Sequence, residues 1–536
     1  MGQHRGRERD ACDAVIVGGG HNGLTCAAYL ARAGLRVRLF ERRPILGGAA
    51  VTEEFHPGFR NSTCAYTVGL LDPGVMADLD LAGHGLRILR RPMSNFLPLD
   101  DGGALCLHPD PARTRDEVAR LSPGDAGRLA DYEATLDRLA GILRDLARET
   151  PPNAGGGLAA WWRAYRASAP LRRQDPETWR DLLDLFTLSA AEFLERWFAH
   201  DAVKALFAFD AVVGTYTSPF APGSAYVLLH HCFGQVDGAR GVWGHAVGGM
   251  GAVTAAMARA AEAAGAVLET DAPVARVLVA DGRAAGVELA DGRRVRAPVV
   301  AANVNPRLLL LDLVPDGALP AQVTARMGRY RCASGTLRMN VALRELPDFT
   351  ARPGTGPQPH HGAGIVIAPS LDYMDRAYQD ARRHGFSRAP IVELLIPSVL
   401  DDSLAPPGRH VASLFCQHFD PELPGGASWD DRREAAADAA IAAVTRFAPN
   451  FAESIIARRV LTPLDLEREF ALVGGDIFHG AMRLNQMFSA RPLLGLADYR
   501  MPLTGLYLCG AGAHPGGGVT ALPGRNAARE ILRDRR

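Results

Sequence analysis

Three glycines and one acid are the first residues whose types and spacing can do chemistry. In "DAVIVGGGHNGLTCAAYLARAGLRVRLFERR", Asp13 to Arg43, the glycines Gly18, Gly20 and Gly23 follow an apolar run and open a helical one, and Glu41 comes 18 residues after the last of them. Gly18 permits a tight turn, Gly20 lets the backbone approach a pyrophosphate, and Gly23 lets a helix lie close on the preceding strand. The phosphates would sit at the helix N-terminus, where unpaired N–H groups and the positive end of the helix dipole favour anionic charge. Glu41 ends a second strand, Arg36 to Phe40, as an acceptor placed for ribose hydroxyls and set against a 2′-phosphate. Gly47 and Gly48, six and seven residues further on, favour FAD over NAD, because an extended FAD runs past its pyrophosphate and needs more close backbone approaches.

Hydride transfer to a flavin asks for position more than acid strength, with the donor carbon about 3–3.5 Å from N5 in a dry pocket. His514, in the turn "AGAHPGGG", is the first catalytic candidate, because that turn should bring it beside the flavin; its alternative is to bond backbone and shape the turn. His21, inside the glycine loop, reads as structural or packed against the cofactor. Arg525 and Asn526 either contact the flavin edge or satisfy buried backbone. His230, His231 and His479 read as core or surface histidines, and their spacing makes no metal site. Glu53 and Glu54 are adjacent, so they point differently on any regular element and do not form a general acid/base pair.

The elements that must position these residues are legible in outline. Asp13 to Gly18 reads as a strand and Asn22 to Ala33 as a helix that Gly34 stops. "GLYLCGAGAHPGGGVTALPGRNAAREILRDRR" is a strand, Leu506 to Cys509, then a glycine cluster from Gly510, then a helix aimed at the flavin edge where charge develops. Between Gly241 and Val300 an alanine-rich helix to Ala264 leads into three short strands, with Asp281-Gly282 and Asp291-Gly292 as hairpin turns, and a further apolar strand ends near Ala302. Gly249-Met250-Gly251 has no strand in front and Thr254 where a third glycine would stand, so it reads as a packed loop between domains. Asp110 to Val212 is helical, and "LAAWWRAYRASAPLRR" with "AAEFLERWFAHDAVKALFAF" suits either a cap packing its own aromatics or a lid over an apolar tunnel. "TLRMNVAL", "PIVELLIPSVL" and "HVASLFCQHF" suit an antiparallel sheet. Pro320 to Ala333 and Asp430 to Phe447 read as helices, and "ARPGTGPQPHHGAG" as a surface loop.

At 536 residues the chain exceeds one ordinary core. The fold class expected is α/β: a Rossmann-type dinucleotide domain interleaved with an α+β substrate domain and a helical cap. The boundaries expected are 11–100, 241–312 and 471–536 for the FAD-binding parts, with 101–240 for the cap and 313–470 for the sheet of the substrate domain. With 59 basic and 59 acidic residues there is no electrostatic case for nucleic acid or an anionic membrane. The eight cysteines, Cys232 among them, show no C-x-x-C spacing, which argues against a redox disulfide or a zinc site. Cys26 and Cys509 read as small buried thiols. The leader Met1 to Asp10 is polar and no apolar run approaches 18 residues, so a soluble, cytoplasmic protein is expected.

"GGGHNGL", "FERRPILGGAAVTEE", "GSAYVLLHH", "PPGRHVASLFCQ", "DIFHGAM" and "GLYLCGAGAHPGGGV" together resemble the phytoene desaturase-like FAD oxidoreductases, from Asp13 to about Arg529. The bacterial β-carotene ketolase branch, with its own Gly-His-Asn-Gly loop and His-Pro-Gly-Gly end, is the next nearest. The resemblance implies FAD held non-covalently by the amine-oxidase type of fold, and hydride moved from an unactivated or allylic C–H to flavin N5. Position by position it implies Gly18, Gly20 and Gly23 at the pyrophosphate, Glu41 at the adenosine ribose, and Gly47 with Gly48 on the phosphate or ribityl side, with His21, Asn22 and Arg43 also cofactor-binding. Val274 would touch the adenine through its backbone, and Gly510, Ala511, Gly518 and Val519 would line the isoalloxazine. Flavin amine oxidases commonly place a lysine near N5; the sole lysine here, Lys204, falls in the cap, which disfavours an amine. The expected function is oxidation of a hydrophobic, carotenoid- or lipid-like substrate, with oxygen, a quinone or a carrier as electron acceptor and at most peripheral membrane contact. The alternatives are a carotenoid ketolase and an FAD-binding protein that works through a protein partner. For a eukaryotic relative the resemblance implies the mitochondrial matrix.

Overall fold

The computed structural model describes residues 12–153, 157–231, 234–236, 239–240 and 242–536. The leader Met1 to Asp10 and Cys232 lie outside them. Five strands, taken from three distant stretches of chain, form a parallel sheet in the spatial order Val267–Glu269, Val37–Phe40, Ala14–Val17, Val299–Ala302, Leu506–Leu508. Every residue of Ala14–Val17 and Val299–Ala302 is buried, as expected of parallel strands covered on both faces. The helix His21–Arg32 follows the first strand and lies against helices Met250–Ala263 and Leu522–Asp534. Two absent side chains set these approaches: a Cβ on Gly23 would lie 2.2 Å from Gly18 O, and one on Gly524 would lie 2.1 Å from Asn22 O.

The meander Val274–Ala280, Arg283–Leu289, Arg294–Arg296 follows. Asp281 and Gly282 both have positive φ, 49° and 70°, which is the two-residue turn that matches strand twist. Asp291-Gly292 instead closes a three-residue loop, with Leu289 N–H donating to Arg293 O and only Gly292 left-handed.

The second sheet has seven strands in the order Ile455–Leu461, Thr336–Leu343, His410–Phe419, Phe386–Leu395, Gly364–Ile367, Asn95–Pro98, Ala104–Leu107. All its neighbours are antiparallel except Gly364–Ile367 with Asn95–Pro98. Alternate side chains serve two cores. Leu97, Val366, Ile391 and Phe415 join the helical insertion, while Phe96, Ile365, Val392 and Leu414 pack with helix Trp429–Thr445. Thr336–Leu343 is buried on both faces although its sequence alternates, with Leu337, Met339, Val341 and Leu343 in the second of these cores and Thr336, Arg338 and Asn340 as buried polar residues between them. The insertion contributes helices from Pro111–Leu121 to Ala225–His231. Side-chain caps start several of them: Ser122 accepts from Asp125 N–H, Asp175 from Thr178 N–H, and Ser189 and Glu192 make a reciprocal box. Within it Tyr132 packs edge-on to Trp197 and Phe198, whereas Trp161 and Trp162 stay 60% and 58% exposed.

Several expectations need correction. The helix placed at Pro320 to Ala333 ends at Met327. Strands Asn95–Pro98 and Ala104–Leu107 belong to the second sheet, so the chain leaves the nucleotide unit ahead of residue 95, not at 100. A strand, Gly244–Ala246, does stand before Gly249, but it pairs antiparallel with Ile88–Arg90 and lies outside the parallel sheet. Gly249 and Gly251 are small because Thr52 fills the space a Cβ would take. The stretch 351–364 is not wholly a surface loop, since His360 and His361 are buried, the latter donating through Nε2 to Pro347 O and accepting at Nδ1 from Gln358 N–H.

Candidate active site

A cavity of about 440 Å³ opens at the carboxyl ends of the parallel strands and runs from Glu41 and Val274, past Gly18, Gly20 and His21, to Tyr66, Phe415, Phe478, Gly518 and Val519. Gly18 has φ +94°, and a Cβ there would meet Asn303 O at 2.8 Å. A Cβ on Gly48 would meet Gly20 Cα at 3.1 Å, and Gly47 N–H donates to Gly19 O, so the two glycine turns are stitched together. Glu41 accepts from Gly19 N–H at 2.7 Å and Arg43 N–H at 2.9 Å, which fixes its carboxylate on the cavity wall. The helix His21–Arg32 starts with no side-chain cap and no acid in its first turn. Its leading N–H groups therefore remain available to an anion.

Of the residues expected to hold a nucleotide, Gly18, Gly20, His21, Asn22, Glu41, Arg43, Gly48, Val274, Ala511, Gly518 and Val519 line this cavity. Gly23, Gly47 and Gly510 stand behind its wall, where they set backbone approach; the space beside Gly510, for example, is filled by Asn303. His514 is a correction. It is not among the lining residues; its Nε2 lies 3.1 Å from Leu146 O, and it borders a separate cavity of about 430 Å³ under the helical insertion. Asn526 Nδ2 donates to Ala147 O. Together they add side-chain partners to the last carbonyls of helix Pro123–Ala147, where Leu146 O also accepts from Glu149 N–H. Arg525 stands beside Tyr29. Glu53 turns to Arg43 and Thr63 while Glu54 is exposed. His479 does line the cavity, and Lys204 pairs with Asp201 in the cap.

Sequence reasoning missed Asn303, whose Nδ2 bonds Gly18 O at the end of the fourth strand of the chain's parallel set. It also missed Arg491. This fully buried guanidinium donates to Phe478 O, Gly480 O, Gln486 O and Ala511 O, and so ties together the two loops that close the far end of the cavity. Asp476 reinforces the first loop by accepting from Ala333, Phe478 and Gly480 N–H, and burial pushes its carboxyl up to about 6. Only an arginine among many, with no motif, marks such a role in sequence.

The cavity wall carries polar atoms without protein partners: His21 Nε2, Asn22 Nδ2 and Oδ1, Arg43 Nη1 and His479 Nδ1. Buried polar groups are ordinarily paired, so these atoms fit a bound polar molecule. Burial holds the His21 and His479 imidazoles down at about 4, which leaves them neutral at pH 7. Among the described residues no group of histidine, cysteine and acid side chains could hold a metal ion, and no helix is long and apolar enough to cross a membrane.

An uncapped helix start, glycine turns without room for side chains, an acid at the second strand and a long cavity define a dinucleotide-binding oxidoreductase fold. Residues 23–335 match the family of flavin containing amine oxidoreductases, and the chain belongs to it. "Pyridine nucleotide-disulfide oxidoreductase domain-containing protein 2" of Rattus norvegicus is 41% identical over 97% of this chain and 93% of its own length. "Phytoene desaturase (lycopene-forming)" of Pantoea ananas is 24% identical over 95% of this chain and 96% of its own. Among solved structures, an oxidoreductase from Methanosarcina mazei shares the fold, with a TM-score of 0.60 and 18% identity over 97% of this chain and 100% of that one. The chain is thus an FAD-dependent oxidoreductase, similar to the desaturases as its end motifs implied. Bound FAD supplies hydride acceptance. The Gly18–Gly23 turn and helix start would hold its pyrophosphate, Glu41 and Val274 its adenosine end, and the 511–519 loop its ring.

Proposed function

We propose that this oxidoreductase dehydrogenates a hydrophobic small molecule, carotenoid- or lipid-like, with the reduced FAD reoxidised by oxygen, a quinone or an electron carrier. One observation carries the proposal: at the Tyr66, Phe478 and Gly518 end the cofactor cavity adjoins a compartment of about 100 Å³ walled by Leu70, Leu71, Val213, Trp243, Val253 and Phe415. Among the described residues no acid lines that compartment, so an ammonium group would enter it without a counter-charge from them, at a cost of several kcal/mol by the order of magnitude for buried ions. The distance of Lys204 from the cavity lining supports the same choice. His231, held at about 4 by burial, is neutral there and keeps that wall uncharged. The second apolar cavity, between Leu146, Leu182, Phe186 and Phe488, and the exposed Trp161 and Trp162 on helix Gly157–Ala167 favour entry of a water-insoluble substrate from that side, with peripheral membrane contact at most.

The test is anaerobic titration of the FAD-loaded protein with carotenoids, other isoprenoid hydrocarbons and, in parallel, polar amines. Bleaching of the flavin bands by a hydrophobic compound and not by amines is the expected result. Bleaching by amines alone overturns the proposal. A flavin that none of them bleaches favours the protein-partner role, and oxygen found in a carotenoid product favours a ketolase.

A further inference from the structure

Tyr66 borders three cavities: the cofactor cavity, the apolar compartment beside it, and a small third cavity of about 20 Å³. Its hydroxyl does not point at solvent. It donates to Glu393 Oε2 at 2.5 Å, and Glu393 is buried in the middle of the seven-stranded sheet. Two buried arginines face this pair. Arg338 lies over the Tyr66 ring, 4.4 Å from its centroid, and donates to Ser413 Oγ. Arg91 donates to Thr67 Oγ1, and its Nη1 converges with Glu393 Oε1 and Asn95 Nδ2 on the space left by the missing side chain of Gly364, at 3.1, 2.8 and 3.2 Å. Asp210 is the remaining acid that feels the Glu393 charge. A carboxylate buried this deeply, beside two cations and with a phenol at one oxygen, is an expensive arrangement for packing alone.

The arrangement continues outward. The third cavity has room for one water and is lined by Tyr66, Arg91 and His245. His245 Nε2 lies 2.9 Å from Asp401 Oδ2, and Asp401 also accepts from Gly248 and Ser403 N–H. The next residue, Asp402, is exposed.

We propose that Tyr66 and Glu393 are the inner end of a proton relay, joined through the small cavity to His245 and Asp401, that carries protons between the cofactor cavity and the surface. The proposal rests on the dehydrogenation reading for its substrate half. There, two C–H bonds break and a C=C bond forms; one hydrogen leaves with its electron pair to FAD. The other leaves as a proton to Tyr66 Oη while the tyrosine's own proton passes to Glu393 Oε2. Reoxidation of bound FAD by an oxygen, quinone or carrier acceptor would also free a proton, and Tyr66 and Glu393 would pass it outward by the same route. Tyr66 is the residue that touches the reacting groups, and Glu393, His245 and Asp401 act through it. The surroundings of Glu393 fit this role: burial raises its affinity for a proton above that of an ordinary carboxylate, and Arg91, the Tyr66 hydrogen bond and Arg338 oppose that rise.

The experiment needs no substrate. FAD-loaded protein is photoreduced anaerobically and mixed with ferricyanide in unbuffered solution containing a pH indicator, so that flavin absorbance and proton release are followed together. In the parent protein proton release keeps pace with reoxidation. In Y66F and E393Q the flavin reoxidises but proton release lags by about a hundredfold, the size of a lost acid/base step, and H245Q lags less. A reduced-minus-oxidised infrared difference spectrum gives the second readout: a protonated-carboxyl band that is absent in E393Q and shifted in Y66F. Coincident proton release in all variants, or an infrared spectrum unchanged by E393Q, overturns the relay. If E393Q does not retain FAD, Y66F and H245Q carry the test. Failure of every hydrophobic compound to bleach the flavin would overturn the substrate reading and leave this result intact, because photoreduction replaces the substrate and ferricyanide the acceptor.

Discussion

A histidine in a glycine-rich turn near a flavin invites a catalytic assignment, yet His514 spends its ring on a helix end. Its Nε2 serves Leu146 O, and Tyr499 OH donates to its carbonyl. His514→Ala should therefore leave flavin bleaching rates within a few-fold and lower stability by about 1 kcal/mol, the net worth of one hydrogen bond to a carbonyl that Glu149 N–H still serves; a loss of bleaching with unchanged stability would return it to the chemistry. Gly23 is the opposite case. Gly23→Val would put carbon where Gly18 O already stands, 2.2 Å from the new Cβ. Purified G23V is expected to carry no FAD, and retention of the yellow cofactor would show that the turn can shift. The glycine spacing was readable because its constraint is local: a strand, a turn and a helix in contiguous residues. Tyr66, Glu393 and Arg91 were not readable, because 327 residues of chain separate the hydrogen-bonded pair.

At the scale of elements, the loops that close the cavity depend on one buried guanidinium. Arg491→Lys keeps the charge but loses the fork that reaches four carbonyls. It is expected to weaken FAD affinity at least about tenfold and to destabilise by about 2–4 kcal/mol, measured by FAD titration and denaturant unfolding. The helix Pro123–Ala147 offers a contrary test. Gly127 and Gly141 lie in its interior with nothing within 4 Å of a new Cβ. Each Gly→Ala change should stabilise by about 0.5–1 kcal/mol through helix propensity and leave the flavin spectrum untouched. Thermal unfolding decides it, and a drop in stability would mean that an approach to these glycines matters.

The whole molecule couples these parts through protons as well as contacts. His230, His231, His418 and His514 are buried and held at about 3, 4, 3 and 4, below an ordinary 6.5. The native state binds fewer protons than the unfolded chain between those values and 6.5, so this stability is present above about pH 6.5 and is lost as pH falls toward 4. Asp210 and Asp476, pushed up by burial to about 7 and about 6, act in the other direction: they favour the native state when protonated and cost stability as pH rises through their window. With His21 and His479, also held at about 4, six such histidines outweigh the two acids, each pH unit being worth up to about 1.4 kcal/mol per group. Denaturant unfolding of the apoprotein at pH 7, 6 and 5 should show falling stability, and a flat profile would contradict the neutral burial of these histidines. Saturating FAD should raise every point by mass action, by about 4 kcal/mol at a thousandfold excess over Kd.

The amino-acid sequence by itself determined the nucleotide end. A pyrophosphate site is built from consecutive residues, whose glycines and helix start carry their meaning wherever the rest of the chain goes. The doubly covered strands, the hairpin turn at Asp281-Gly282 and the last βα unit were legible for the same reason. Tertiary structure decided the other end. Which residues meet the flavin ring, whether His514 faces it, and which buried charges stand behind Tyr66 depend on where the seven-stranded sheet brings Phe415 and Glu393 against the 478–519 loops. Such contacts join segments hundreds of residues apart, and pairwise burial, unlike a local turn, leaves no pattern of spacing along the chain.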